Sequence, residues 1–156
     1  MKILFLHPNF PAQFKSACME LRNKGHQIKF ICQTHYGRNL SGIEKLVLKG
    51  GGSYESTLKS GKNEVDQIVF RANAYRQSFI QLKNQGWNPD VIVSHSGWGC
   101  GMYAKEIWAE THLISYLEWW FDITSDFIHS LKKSKYFHFN EESFQKFWDR
   151  NTYASI

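Results

Sequence analysis

Short apolar runs that empty into polar turns, set between longer stretches with helical spacing, organise this chain. Lys2-Ile3-Leu4-Phe5-Leu6 gives way to His7-Pro8-Asn9-Phe10-Pro11. A second run, Val91-Ile92-Val93, follows Asn88-Pro89-Asp90 and gives way to Ser94-His95-Ser96-Gly97-Trp98-Gly99. Such runs, bounded by Pro, Gly and Ser, predict buried parallel strands. Pro11 sits where the first turn of a helix accepts proline. The apolar positions Phe14, Ala17, Cys18 and Leu21 carry that helix on to a cap at Gly25. The run 27–32 predicts the next strand and completes a β-α-β unit of about 30 residues. A weaker strand is predicted at 44–48, and Gly50-Gly51-Gly52 opens a Ser/Gly/Lys-rich segment, to about residue 63, that reads as a mobile loop. Val65, Ile68, Val69, Ala72, Tyr75, Phe79 and Leu82 recur at mostly three- and four-residue intervals and predict a helix over 64–84, capped near Gly86. Residues 101–110 read as helical and 112–117 as a fifth strand, ending in Glu118-Trp119-Trp120-Phe121-Asp122. From Ile123 the chain is aromatic and basic, with a last helical piece near Glu141.

Strands alternating with helices make this an α/β chain: one parallel sheet flanked by helices. If the sheet is wound outward from its first strand, the first and fourth strands lie side by side where the winding reverses, and ligands bind at that end of a parallel sheet. His7 and His95 then face one crevice, with Glu118 beside His95. The turn at Ser96, Gly97 and Trp98 exposes backbone amides suited to an anionic or hydroxyl-rich ligand, and its glycines permit close approach. A plainer reading of each residue stays open: glycines required by a tight connection, Trp98 in the core, His7 capping a carbonyl, Glu118 solvated. Trp119, Trp120 and Phe121 fit a sugar-stacking platform or a subunit contact, and core packing is the favoured alternative.

Composition narrows the class. At 156 residues the chain suits one domain, and with 42% hydrophobic and 16% aromatic residues it is too apolar to be disordered. No apolar run approaches the ~20 residues of a membrane span, and the start lacks a signal-peptide core, so a cytoplasmic protein is expected. Three cysteines, Cys18, Cys32 and Cys100, lack Cys-x-x-Cys spacing and point to neither a disulfide framework nor a metal site. A net charge of +5 favours anionic partners without choosing among them. The dinucleotide and triphosphate-loop fingerprints are absent, neither Ser94 nor Ser96 stands in a Gly-x-Ser-x-Gly elbow, and no nucleic-acid motif accompanies the basic tail. No cofactor and no nucleic-acid partner are expected.

Four blocks carry a family resemblance: residues 1–14, Lys24-Gly25-His26, the stretch 89–99, and Tyr116-Leu117-Glu118-Trp119-Trp120-Phe121. Together they resemble the N-terminal half of the family 4 glycosyltransferases, in the branch with a His-x-Asn-Phe-Pro loop and a His-x-Gly-Trp-Gly loop. Asp149-Arg150-Asn151 is similar to the start of the helix that follows. The resemblance implies a GT-B architecture, in which two Rossmann-like domains face each other across a cleft. It further implies transfer of a sugar from a nucleotide-sugar donor with retention of anomeric configuration and without a bound metal. In such enzymes the N-terminal domain mainly holds the acceptor, while the C-terminal domain binds the donor and carries a Glu-x7-Glu motif. Glu110 and Glu118 match that spacing by coincidence, because the predicted fifth strand lies between them. By the resemblance, His7, Asn9 and Phe10 line the cleft, His95, Ser96, Gly97 and Trp98 touch acceptor or transferring sugar, and Glu118 borders it.

The expectation is one acceptor-side domain spanning 1–156, inactive until a donor-binding domain in the same or another chain joins it. A non-catalytic sugar-binding or partner-binding domain is the alternative. A sugar or glycolipid acceptor is the expected partner, and Lys132, Lys133 and Lys135 leave room for peripheral membrane contact at the inner face of a membrane.

Overall fold

The computed structural model describes residues 1–61 and 63–118, together with Asp126, Ser130 and Lys133. The aromatic run at Trp119, Trp120 and Phe121, Lys132, Lys135 and the helical piece near Glu141 lie outside the described residues. Five strands, β1 (Lys2–Leu6), β2 (Gln27–Cys32), β3 (Ile43–Val47), β4 (Val91–His95) and β5 (His112–Tyr116), form one sheet in the order β3-β2-β1-β4-β5. All four pairings are parallel. The winding does reverse between β1 and β4, and Leu6 pairs with Ser94, so His7 and His95 come side by side at the carboxyl ends of neighbouring strands.

Both sheet faces are covered, which is why β1 and β2 are nearly all apolar. Leu4, Leu6, Ile31 and Ile92 face Tyr75, Phe79 and Leu82 of α3 (Glu64–Asn84), while Ile3, Phe5, Ile28 and Phe30 face Phe10, Phe14 and Cys18. Alternate residues of each strand serve opposite faces. Burying one such side chain contributes about 2 kcal/mol relative to leaving it in water. The helices start and stop where the sequence signals it. Asn63 caps α3 by accepting from the Asp66 amide at 2.9 Å. Past its end, Gly86 lies at φ 74°, its amide donates to Lys83 O, and the Trp87 amide donates to Leu82 O. The same pair of bonds closes α1 (Lys15–Asn23), with Gly25 at φ 84°. Both are Schellman closures, in which glycine takes the left-handed position.

Five expectations change. Segment 50–63 is not an irregular loop: a 3₁₀ turn over Gly50–Gly52 leads into α2 (Tyr54–Lys59). Ser53 caps α2 by accepting from the Ser56 amide, and Thr57 is fully buried beneath it, so one cap and one buried side chain outweigh a loop-like composition. Pro11 does not open a continuous helix. Ala12 at φ 48° turns the chain, and a 3₁₀ turn over Ala12–Phe14 precedes α1. The helix expected over 101–110 contracts to α4 (Ala104–Ile107), because 99–103 is spent in turns. The third strand lies one residue earlier than expected, and the fifth ends at Tyr116, both within the ordinary uncertainty of strand ends.

Candidate functional site

At the carboxyl edge of the sheet the two imidazoles stand 4.9 Å apart, centroid to centroid, with their planes at 86°. His7 is tied inward. Its Nδ1 lies 2.8 Å from the Asn9 amide, which it accepts when Nε2 carries the proton, and 3.0 Å from Asn9 O, and its carbonyl accepts the Tyr75 hydroxyl at 3.0 Å. His95 is tied the other way round. Its Nδ1 lies 2.6 Å from Ser96 O, an acceptor only, so Nδ1 carries the proton and Nε2 is left for other partners.

Those partners come from two other elements. The β4–β5 register sets His95 against Tyr116, and the Ser96 amide donates to Tyr116 O at 2.9 Å, which continues the pairing and brings Glu118 alongside. Glu118 Oε2 lies 3.2 Å from His95 Nε2. Gln13, in the turn before α1, donates to the same Oε2 at 2.9 Å and stands 3.3 Å from His95 Nε2. A neutral His95 ring therefore accepts from Gln13, and a protonated one donates to Glu118.

Electrostatics separates the histidines. Burial, reinforced by the charge of His95, lowers the His7 pKa from 6.5 to about 4, so His7 is neutral near pH 7. The Gln13 amide, and then the His95 ring, hold the Glu118 carboxyl below the usual carboxylate range. At this edge a neutral imidazole stands beside a second ring clamped by a carboxylate and an amide. Hydroxyl groups are the natural ligands for such an array, since each can donate to Glu118 or His95 and accept from His7 or Gln13.

The other residues expected at the site divide. Trp98 is not core: it is 38% exposed, with its ring 6.5 Å from that of His95. Gly97, at φ 80°, has open space where a side chain would stand, whereas a Cβ on Gly99 would come within 2.8 Å of Ile68 O, so the loop lies directly on α3. Ser96 acts through its backbone. Asn9 is exposed and its side chain accepts from the Thr34 hydroxyl. Phe10 does not line the crevice. It has no exposed surface, its ring meets Phe30 at 5.0 Å, and Lys45 Nζ lies over it, so it anchors the first loop from beneath.

Sequence reasoning left Gln13, Tyr75 and Arg71 without site roles. Arg71 had a legible signal, as the one charged residue on the apolar stripe of α3. The cysteines are buried free thiols, each raised by burial to about 12 and unsuited to nucleophilic work. Among the described residues no group of three or more His, Cys, Asp or Glu could hold a metal ion. A groove of about 670 Å³ between β3 and α3 offers amides such as Asn73, Gln77 and Gln81 and the cations Lys45 and Lys49, with no His or carboxylate, so the paired donors and acceptors lie at the histidines instead.

A family model described as the glycosyl transferase family 4 group matches residues 24–135. The chain belongs to that family. No curated protein matches it. The family 4 match runs from the end of α1 through β5 and includes His95, Trp98 and Glu118, while His7 and Gln13 precede it. The five-stranded parallel sheet flanked by helices is the Rossmann-like arrangement of a GT-B N-terminal domain.

Proposed function

We propose that this family 4 domain is the acceptor side of a retaining glycosyltransferase that moves a sugar from a nucleotide-sugar donor to an acceptor hydroxyl. The observation that carries the reading is the cluster of His7, His95, Gln13 and Glu118, which gathers hydroxyl-matching donors and acceptors from three strand ends at one edge of the sheet. No glycine-rich phosphate loop follows β1, so the nucleotide is left to a donor-binding domain in the same or another chain, and this domain by itself transfers no sugar. His95 contacts the reacting sugar or the acceptor, Trp98 covers one side, and Glu118 orients a hydroxyl. The working place is the cytoplasmic side of a membrane, with a sugar or glycolipid as acceptor. Among the described residues no helix is long and apolar enough to cross a membrane, and the membrane contact expected of this domain is peripheral.

The test is His95→Ala, assayed by calorimetry against a panel of methyl glycosides. Losing a hydrogen bond of this kind weakens the best-bound glycoside about 10-fold or more, with the fold intact by circular dichroism. Unchanged affinity would remove His95 from the site.

A further inference from the structure

Arg71 is 3% exposed, on the face of α3 turned toward the sheet, and no carboxylate among the described residues pairs with it. Lys24, Lys29 and Arg76 each meet a glutamate. Burying a guanidinium without an acid costs several kcal/mol unless its donors are matched. Here they meet neutral acceptors: Nε donates to Gln33 Oε1 at 3.0 Å and a terminal nitrogen donates to Trp98 O at 3.1 Å. The guanidinium carbon lies 5.4 Å from the Trp98 ring centroid, where the π face favours a cation. Gln33, itself buried, passes the connection on, its amide donating to Gly52 O at 2.9 Å and to Thr57 Oγ1 at 2.8 Å.

One side chain thus joins three segments that leave the carboxyl edge of the sheet: the residue after β2, the turn and helix after β3, and the 96–99 loop after β4. The loop needs such a hold. Gly97 and Gly99 both have positive φ, and Gly97 has open space where a side chain would stand, while only Gly99 rests on Ile68 and Ala72 of α3. Resting on the reading of the crevice as a sugar site, we infer that Arg71 is a positioning residue for it. Its forked guanidinium pins the Trp98 carbonyl to Gln33 and α2, and so holds Trp98 and His95 in the geometry that receives the sugar. Lysine cannot replace it, because a point-like ammonium does not span two acceptors in a fixed plane while stacking on an indole. Its charge has a second effect, as one of the influences that lower His7.

Two variants separate geometry from charge. Arg71→Lys keeps the charge and loses the fork, and Arg71→Met loses both. In 15N relaxation of the full chain, Arg71→Lys drops the amide order parameters of Gly97 and Trp98 from roughly 0.85 to below about 0.6, with the strands unchanged. It also weakens the best methyl glycoside about 10-fold. The imidazole signals of His7 titrate as in the parent for Arg71→Lys and at higher pH for Arg71→Met, which a merely structural role would not separate. Parent-like loop order in Arg71→Lys overturns the inference, whether or not any glycoside binds. A loosened loop with no glycoside bound even by the parent chain leaves the positioning of the loop established and removes the sugar reading instead. Should Arg71→Met not fold, the loop order of Arg71→Lys decides alone.

Discussion

His7 and His95 occupy equivalent places, each beyond an apolar run at the carboxyl end of adjacent parallel strands, yet they are built for different work. The β1 end turns its histidine inward: Nδ1 meets the loop's own Asn9 backbone, Tyr75 holds the carbonyl, and no carboxylate among the described residues hydrogen-bonds the ring. The β4 end fixes one nitrogen on Ser96 O and offers the other to Gln13 and Glu118. Topology brought the two rings together, and the groups around each decided that one is buried and neutral near pH 7 while the other faces Gln13 and Glu118. The difference teaches that a strand end supplies position, whereas partners supply chemistry.

The largest effect expected from breaking this contrast is on the β1 side. His7 binds a proton at about 6.5 when unfolded and only at about 4 when folded. Between those values the unfolded state holds more protons, so stability rises with pH, is complete above 6.5 and is lost as pH falls toward 4. The shift corresponds to about 3 kcal/mol. Urea unfolding of the parent across pH 4 to 7 shows this slope. His7→Asn, which keeps an acceptor for the Asn9 amide and cannot titrate, removes it. An unchanged slope in the variant would assign the pH dependence to other groups.

A smaller effect sharpens the β4 side. Gln13→Ala takes away the strongest influence holding Glu118 down, so the carboxyl titration moves up toward the ordinary glutamate range. Because Gln13 is exposed, stability stays within about 0.5 kcal/mol. Carbon-detected titration of the Glu118 side chain reads this directly, and an unmoved midpoint would show that the clamp is absent in solution.

Much of the framework could be read before any coordinates. Apolar runs at 2–6, 27–32 and 91–93 and the helical spacing over 64–84 specified a parallel sheet covered on both faces, and the winding rule then joined His7 to His95. What stayed hidden depends on a single contact rather than on a period. α2 rests on the Ser53 cap and the buried Thr57, which composition cannot distinguish from a loop. Phe10 belongs to a loop block that looks the same whether the ring points into the core or into the crevice. Gln13 stood in the quoted block but acquired a role only when the turn at Ala12 swung it onto Glu118. Arg71 was visible as a charge on an apolar stripe, but its acceptors, Gln33 and the Trp98 carbonyl, are 38 and 27 residues away along the chain.

If the paired histidines form the wall of a sugar site, as proposed, a bound sugar touches both rings. The direct measurement is a heteronuclear NMR titration of the imidazole signals of the full chain with the best-bound methyl glycoside at pH 7. The His95 and His7 ring signals are expected to shift together and saturably, along with the Trp98 indole, while His26, His35 and His112 stay in place. Saturable binding that leaves His7 and His95 unmoved would contradict it and place the sugar elsewhere on the domain.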